Sequence, residues 1–272
     1  MRLTHRLPLH AESLLGFLAT RAIPRVEEAD GAGYRRSVRL AHGPGVISAE
    51  LSGGAVRCEL TLSDGRDAPE AQRLCREMLD LDADPAAVDG TLAGDPLLRP
   101  LVAAAPGRRV PGCADPAEIA IRAVLGQQVS VAAARTQAAR LVVRCGERLT
   151  VPAGTVTHLF PTPAALAALD PEELPMPRAR GRALVSLAAA LAGGLDPRHR
   201  EDLLALPGIG PWTADYVAMR CGDRDVLLET DLGVRRALRK LGHPGDAGAL
   251  ERHAERWRPW RSYAVQHLWS VS

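Results

Sequence analysis

The sequence predicts an α+β fold, in which an N-terminal antiparallel sheet with helices precedes a mainly α-helical region. Residues 56–62 alternate strictly between apolar and polar side chains, a pattern typical of a half-buried strand. Turn-forming stretches at 42–45 and 52–54 join neighbouring strand-like segments, so these strands should pair antiparallel. After Asp84 the strand signals vanish, and Pro- and Gly-rich joints separate one helix-like segment from the next.

The N-terminal unit is predicted to begin with a helix and to continue with three strands. Leu and Phe side chains at helical spacing predict the helix over 11–20. The predicted strands cover 36–41, 46–51 and 56–62. An amphipathic helix over 68–81 closes the unit. Its inner stripe carries Leu74, Met78 and Leu81.

Length and capping signals define the second unit. A chain of 272 residues favours two domains, which we place at 1–88 and 89–272. Helix starts are predicted at Asp115-Pro116, Ser130, Thr162-Pro163 and Asp196-Pro197. At the first of them Glu118 stands where a capping-box glutamate would lie, and the helix from Ser130 should run to about Cys145.

Composition excludes several classes of protein. Of the 34 basic residues, 33 are Arg and the single lysine is Lys240, which Leu241 follows, so a Walker phosphate loop is excluded. The 5 cysteines form no Cys-x-x-Cys pair, which argues against a zinc knuckle, an iron–sulfur site or a disulfide framework. No segment reads as a membrane span or a signal peptide. We therefore expect no membrane partner and a cytoplasmic location.

Aromatic residues are few and unevenly placed. They make up 3% of the chain, and most of them fall after residue 211. The late aromatics are Trp212, Tyr216, Trp257, Trp260, Tyr263 and Trp269. Such clustering is typical of a π-lined pocket or of a compact aromatic core.

Residues 201–221 are predicted to form a helix, a tight hairpin and a second helix. The hairpin is Pro207-Gly208-Ile209-Gly210, and Pro211 starts the next helix at its first position. Glycine lets the backbone come close to another surface, and N–H groups at a helix start form an anion site. A DNA phosphate would fit there, and we expect a positive φ at Gly210. An ordinary helix–helix corner is the alternative interpretation.

Four stretches together resemble a known family. They are Leu206-Pro207-Gly208-Ile209-Gly210-Pro211-Trp212-Thr213-Ala214 followed by Asp231; Leu15-Gly16-Phe17-Leu18-Ala19; Leu125-Gly126-Gln127; and Trp257-Arg258-Pro259-Trp260-Arg261-Ser262-Tyr263-Ala264. These stretches, in their order along the chain, resemble the alkylpurine (3-methyladenine, type II) DNA glycosylases of the helix-hairpin-helix superfamily. The likeness runs from about residue 8 to the C-terminus. It implies two helical subdomains around a cleft in the second unit.

The resemblance implies which residues carry the chemistry. Asp231 falls on the family's catalytic aspartate, whereas taken alone it reads as a helix cap. The implied substrate pocket consists of Phe17, Trp212, Tyr216 and Trp269. Bifunctional members carry a Schiff-base lysine at the position of Trp212, so the resemblance implies a monofunctional enzyme that uses water. Its substrate would be an N3- or N7-methylated purine in duplex DNA, and its product an abasic site.

The resemblance also implies a DNA interface and a cation site. The implied DNA-binding residues are Gln127, Gln128, Gly208, Gly210 and Thr213. Gln128 falls where the family's intercalating leucine lies, so an amide replaces an apolar wedge. The main-chain carbonyls of Leu204, Leu206 and Ile209 correspond to the family's ligands for a structural Na⁺ or K⁺, and no other cofactor is expected.

The partner implied for this chain is double-stranded DNA with alkylated bases, bound by a monomer. Two further functions stay open. Leu232 and Ser270 replace family aromatics and thin the pocket, which leaves room for hypoxanthine, uracil or a bulkier adduct. A non-catalytic DNA-binding protein is the other alternative, in which Asp231 merely caps a helix.

Overall fold

The computed structural model describes residues 1–52, 54–243 and 246–271, and it has the predicted α+β architecture. Its strands are β1 (Arg2–Leu3), β2 (Glu27–Ala29), β3 (Gly33–Leu40), β4 (Gly43–Ser52), β5 (Ala55–Leu62), β6 (Arg148–Ala153) and β7 (Val156–His158). Its helices are α1 (Ala11–Arg21), α2 (Ala68–Met78), α3 (Pro85–Leu92), α4 (Arg99–Ala104), α5 (Pro116–Leu125), α6 (Val131–Cys145), α7 (Pro163–Ala167), α8 (Arg178–Ala192), α9 (Arg200–Leu204), α10 (Pro211–Arg220), α11 (Leu232–Lys240), α12 (Ala247–Ala254) and α13 (Arg261–Trp269).

The N-terminal unit contains a five-stranded antiparallel sheet in the order β1-β5-β4-β3-β2. The three predicted strands are present as β3, β4 and β5, and the short outer strands β1 and β2 went unpredicted. Val56 and Cys58 of β5 are buried while Arg57 and Glu59 are exposed, as the alternation requires. Helices α1 and α2 cover the apolar face, and α2 ends at Met78, three residues earlier than predicted. The turn predicted at 52–54 includes Gly53, which lies outside the described residues.

The prediction that strands vanish after Asp84 is wrong for one hairpin, β6–β7. Val156 of β7 is buried against Val46 of the first sheet. The N–H groups of Thr157 and His158 both donate to the carbonyl of Arg25, at 2.8 and 2.9 Å. The alternation of apolar and polar residues in this segment is too short to predict strands. The hairpin is stabilised by contacts with a sheet that is distant in the sequence.

Three of the four predicted helix starts are confirmed. The side chains of Asp115, Ser130 and Thr162 each accept a backbone N–H of the first helical turn. The start at Asp196-Pro197 is wrong, because α9 begins at Arg200. Asp196 instead accepts the N–H of Arg198 at 3.0 Å, which closes a local turn that competes with a helix cap.

Glu118 does not serve as a capping-box residue, because its carboxylate is buried in an ion-pair network. It accepts from Arg36 Nη2 at 2.6 Å and from Arg122 Nη1 at 2.9 Å. Arg122 also donates to both oxygens of Glu27 at 3.0 Å and to the carbonyl of Arg21 at 2.7 Å. Burial would raise the pKa of Glu27, but Arg122 and Arg36 outweigh it and lower that pKa. The network joins the sheet to α5 and fixes Arg122 beside the cavity described below.

Two hydrophobic cores stabilise the helical region. One lies among α5, α6, α8 and the first turns of α10, and the other among α3, α4 and α11 to α13. Helix α10 contributes to both, since Val217 belongs to the first core and Met219 to the second. Tyr216 packs against both cores, so α10 sets the position of one core relative to the other. The division of the chain at residue 88 stays a prediction.

Candidate active site and DNA-binding hairpin

Asp231 is the N-cap of α11, and its carboxylate also has two indole partners. Its Oδ1 accepts the N–H of Val234 at 2.9 Å, which is the capping bond. The same oxygen accepts from Trp269 Nε1 at 2.9 Å, and Oδ2 accepts from Trp212 Nε1 at 2.9 Å. The capping interpretation is therefore confirmed, and the catalytic role of Asp231 stays a prediction. Three donors fix the orientation of the carboxylate.

Gly233 allows Trp269 to approach the carboxylate. A Cβ at this position would lie 3.0 Å from Asp231 Oδ1 and 3.1 Å from Trp269 Cδ1. Both distances are tighter than ordinary van der Waals contact, so a side chain here would displace the ring or the carboxylate. Sequence reasoning missed Gly233, although its place two residues after Asp231 was a visible signal.

The aromatic side chains form one wall of a cavity of about 320 Å³. Trp212 stacks on Tyr216 with ring centroids 5.4 Å apart and planes 11° apart. Tyr216 in turn meets Trp269 at 6.4 Å in a tilted arrangement. Asp231 lines the same cavity, so three of the four predicted pocket residues surround it together with the carboxylate. Val131 and Ala138 of α6 also line this cavity.

Phe17 lies behind this wall. It stacks on Trp269 at a centroid distance of 6.2 Å, and the Arg21 guanidinium covers its ring at 3.8 Å. Arg21, rather than Phe17, is among the residues that line the cavity. The expectation that Phe17 lines the pocket is therefore corrected, because the guanidinium of Arg21 lies over its ring.

Buried guanidiniums surround the phenol of Tyr216. Arg220 Nη1 donates to Tyr216 Oη at 2.9 Å, and the Arg220 guanidinium also lies 5.0 Å from the centre of the Phe17 ring. Burial would raise the pKa of Tyr216, but Arg220, Arg21 and Arg122 outweigh it and lower that pKa. Sequence reasoning missed these arginines, because arginines on helices read as surface charge.

The hairpin between α9 and α10 has the predicted shape, but its two glycines differ in a way that the sequence did not indicate. Gly208 has φ of 82°, and a Cβ there would meet the Cβ of Ala183 at 2.7 Å. Gly210 has φ of −101°, so the expected positive φ at this residue is wrong. A Cβ on Gly210 would meet nothing within 4 Å. The fold therefore needs glycine at 208, whereas at 210 it tolerates a side chain.

Gln127 joins the loop after α5 to the hairpin. Its Nε2 donates to the carbonyl of Gly208 at 2.9 Å and to Thr213 Oγ1 at 3.0 Å. Gln127 thus contacts two of the other four residues predicted to bind DNA. Gly210 is the N-cap of α10 and supplies no side-chain acceptor to the first-turn N–H groups.

Gln128 is exposed at the tip of the loop between α5 and α6. Its φ is 55°, a left-handed conformation that is uncommon for a residue with a side chain. Val129 and Val131 beside it are also exposed, at 37% and 42%. The predicted wedge residue therefore lies exposed in a turn with apolar neighbours.

The predicted cation ligands lie in the same hairpin. The carbonyl of Leu206 accepts the N–H of Ile209 at 3.2 Å, and a carbonyl oxygen has a second lone pair. The cation site at Leu204, Leu206 and Ile209 stays a prediction. Within the described ranges, the His, Cys, Asp and Glu side chains form no group of three or more that could hold a metal ion.

The structure describes both residues, Leu232 and Ser270, that replace aromatic residues of the family near the pocket. Leu232, directly after Asp231, is 72% exposed, and Ser270 donates its hydroxyl to the carbonyl of His267 at 2.7 Å. Neither residue adds an aromatic ring to the cavity. In the parts of the chain that the structure describes, every helix is too short or too polar to cross a bilayer.

Comparison with known proteins places these features in a family. Residues 1–115 match the AlkA N-terminal domain, and residues 121–262 match the HhH-GPD superfamily base excision DNA repair protein. The chain is 48% identical to a Mycobacterium tuberculosis protein described as a probable bifunctional transcriptional activator/DNA repair enzyme AlkA. That match covers 100% of this chain and 56% of the relative, so the chain spans about half the length of that relative.

Two further similarities cover nearly whole proteins. The chain is 39% identical to the Escherichia coli protein named DNA-3-methyladenine glycosylase 2, over 94% of this chain and 92% of that one. A solved 3-methyladenine DNA-glycosylase from Archaeoglobus fulgidus has the same fold, with a TM-score of 0.84 and 24% identity over 99% of this chain and 97% of that one. The resemblance that the sequence indicated is confirmed, and the chain belongs to the HhH-GPD superfamily of base excision DNA repair proteins.

Proposed function

We propose that this chain is a monofunctional DNA glycosylase that excises N3- or N7-alkylated purines from duplex DNA and leaves an abasic site. The observation that carries the proposal is the position of Asp231 at an aromatic cavity, held by the N–H groups of two cavity tryptophans. An acid fixed beside a π-lined pocket suits a reaction in which a flat base is held while its bond to the sugar breaks. Membership of the base excision repair family supports the same conclusion.

The aromatic wall accounts for selectivity toward a damaged base. Alkylation at N3 or N7 makes a purine cationic, and a cation over an electron-rich ring gains about 1 to 2 kcal/mol when water is excluded. The stacked Trp212 and Tyr216 rings present such a surface. A cationic purine also leaves without protonation, so a second carboxylate acting as general acid is unnecessary.

Asp231 would act on the sugar. Its Oδ1 is engaged by Val234 and Trp269, while Oδ2 accepts from Trp212 and retains another lone pair. That oxygen is the one available to orient the attacking water or to face the positive charge that develops on the sugar. Because the carboxylate is already oriented, it stabilises the transition state without having to reorganise.

The hairpin would hold the DNA backbone. Open space beside Gly210 and the uncapped first turn of α10 suit a phosphate oxygen, which backbone N–H groups would bind regardless of base sequence. Gln127 fixes the hairpin relative to the loop that carries Gln128. Gln128 would then fill the gap left by the flipped base, which costs a few kcal/mol to extrude.

The proposal extends to the cation and to the assembly. A Na⁺ or K⁺ bound by the carbonyls of Leu204, Leu206 and Ile209 would add positive charge at the hairpin where the phosphate sits. We propose that the chain acts on DNA as a monomer. Comparing DNA affinity in K⁺ and in a bulky organic cation at equal ionic strength tests the cation, and sedimentation of the complex tests the assembly.

The deciding experiment follows the released base. The chain is incubated with duplexes that carry one 7-methylguanine or one 3-methyladenine, and the free base and the intact abasic strand are quantified. Borohydride should trap no covalent adduct, since Trp212 stands where a Schiff-base lysine would lie. Lys240 donates to the carbonyl of Val271 at 2.9 Å and lies at the far end of α11 from Asp231, about 13 Å along the helix axis. Methylated duplex left intact, or an adduct lost in Lys240→Ala, would overturn the proposal.

A second candidate activity is excision of a neutral lesion such as hypoxanthine or uracil. Arg21 and Arg122 line the cavity, and guanidinium N–H groups are suited to the carbonyl oxygens of a neutral base. Fixed cations also disfavour a cationic base through like-charge repulsion. Running the release assay with methylated purines and hypoxanthine side by side ranks the two activities directly.

A further inference from the structure

Two cysteines far apart in the sequence meet on the other side of Arg220 from the aromatic cavity. Cys113 lies just before α5, and Cys221 is the C-cap of α10. Their Sγ atoms are 3.8 Å apart although 108 positions separate them. Both are partly buried free thiols, and both line a second cavity of about 540 Å³ that Arg220 also lines. A thiol pair is therefore open to small solutes.

The backbone on both sides of this contact is held by the same arginine. Arg220 Nε donates to the carbonyl of Pro111 at 2.6 Å, and Nη2 donates to the carbonyl of Gly112 at 2.8 Å. Gly112 is itself fixed, since its N–H donates to the carbonyl of Met78 at 3.1 Å and a Cβ there would lie 2.4 Å from the carbonyl oxygen of Glu77. The meeting of Cys113 and Cys221 thus follows from a built structure rather than from a chance approach of two loops.

We propose that Cys113 and Cys221 form a redox modification site that a peroxide oxidises to an intramolecular disulfide. In the first step the thiolate of one cysteine attacks a peroxide oxygen, the O–O bond breaks, and water leaves with a sulfenic acid formed on sulfur. In the second step the other thiol attacks that sulfur, the S–O bond breaks and a second water leaves. Overall, two thiols and one hydrogen peroxide give one disulfide and two waters.

Hydrogen bonding and neighbouring charge favour Cys221 as the first nucleophile. Burial would raise the pKa of the Cys221 thiol, but the hydrogen bond with Cys113, aided by the Arg220 and Arg198 guanidiniums, outweighs it and lowers that pKa. The same hydrogen bond and burial raise the pKa of the Cys113 thiol, which suits the resolving partner. Cys58 and Cys75 are a contrasting pair, because both are almost completely buried in the core between the N-terminal sheet and its helices.

The disulfide would act as a staple. The Sγ atoms would have to approach from 3.8 Å to about 2.05 Å by rotation of the two side chains, while Arg220 keeps its hydrogen bonds. The bond would join the segment before α5 to the end of the helix that carries Trp212. A crosslink that closes a loop of this length restricts the unfolded chain strongly, so the oxidised protein should be harder to unfold.

The test uses the reduced full chain, about two equivalents of hydrogen peroxide, and peptide mapping after the remaining thiols are blocked. We expect a peptide that links Cys113 to Cys221, a fall from 5 to three titratable thiols, and full reversal by dithiothreitol. The Tm of the oxidised chain should exceed that of the reduced chain by about 5 °C or more.

Three variants make the result decisive. Cys221→Ala and Cys113→Ala should each abolish the crosslink and the rise in Tm, whereas Cys145→Ala should keep both. Cys145 is a matched control, because it is also partly buried but donates its thiol to the carbonyl of Leu141. Any of four results would overturn the proposal. They are the survival of all five thiols after peroxide treatment, a disulfide between Cys58 and Cys75 instead, disulfide-linked dimers, and a Cys113–Cys221 crosslink that does not raise the Tm.

Discussion

The aromatic cavity and the hairpin both involve helix α10, but the cavity is built from side chains and the hairpin from backbone. The cavity uses side-chain groups from separate elements: the indoles of Trp212 and Trp269 and the carboxylate of Asp231. The hairpin uses backbone, with Gly208 in a left-handed conformation and open space at Gly210. A change in the cavity should therefore alter the chemical step, and a change in the hairpin should alter DNA affinity.

The largest expected effect is on the chemical step. Asp231→Asn should lower single-turnover excision of a methylated purine by about 10²-fold or more, as expected when a positioned catalytic group is lost. DNA affinity should stay at the parent value, because the hairpin is untouched. Rapid-quench base release and anisotropy titration measure the two quantities. Asp215→Asn is the matched control, since Asp215 lies on α10 but pairs with Arg200 at 2.6 Å. Parent-rate excision by Asp231→Asn would remove the carboxylate from the mechanism.

A smaller effect should come from the indole N–H groups. Trp269→Phe keeps an aromatic ring but removes the hydrogen bond to Asp231 Oδ1. A hydrogen bond to a charged group contributes about 1.5 to 3 kcal/mol. Because Asp231 keeps the donors Val234 and Trp212, we expect the lower end of this range, which is a fall of about tenfold in the excision rate. The loss should appear mainly in kcat, with a modest change in KM. Trp260→Phe is the control, because Trp260 packs edge-on against Tyr263 and does not line the cavity. Equal losses in both variants would mean that the indole N–H has no specific role.

The two hairpin glycines should separate binding from stability. Gly210→Val should fold like the parent and weaken binding several-fold to lesion and undamaged duplexes alike, because its side chain occupies the space proposed for a phosphate. Gly208→Ala should instead cost about 1 to 2 kcal/mol of folding free energy, since φ of 82° is unfavourable for a residue with a Cβ. Anisotropy at two salt concentrations and thermal denaturation distinguish the two. Unchanged affinity in a folded Gly210→Val would reduce the hairpin to a structural corner.

Local patterns predicted the fold well where the stabilising contacts are local. The alternation in β5 and the caps at Asp115 and Ser130 are readable because a strand face or a helix start depends on neighbouring residues. The β6–β7 hairpin escaped prediction because Val156 finds its apolar partner in Val46, more than a hundred residues away. Long-range packing of this kind leaves little signal in a short stretch of sequence.

The candidate site shows the same division. The family resemblance pointed to Asp231, but no sequence pattern indicated that Trp212 and Trp269 would both donate to its carboxylate. Phe17 was misplaced because whether its ring reaches the cavity depends on how α1 docks against the helical region. The roles of Gly208 and Gly210 were also indistinguishable in sequence, since φ is set by the closed turn.

Acid stability is expected to depend on a residue outside both regions. His267 of α13 is completely buried two residues before Trp269, and burial, reinforced by Arg108, lowers its pKa to about 3. The folded chain therefore keeps His267 neutral while the unfolded chain protonates it near pH 6.5. Stability is fully present above pH 6.5 and falls as the pH drops toward 3, by at most about 1.4 kcal/mol per pH unit from this group. Urea denaturation from pH 7.5 to 4.5 should show this slope, and His267→Gln should reduce it while His199→Gln, at an exposed position, should leave it unchanged. If the slope is unaltered in His267→Gln, the acid sensitivity belongs to other groups. If the variant also keeps its base-excision activity at neutral pH, the histidine stabilises the helix that carries Trp269 and takes no part in the chemistry.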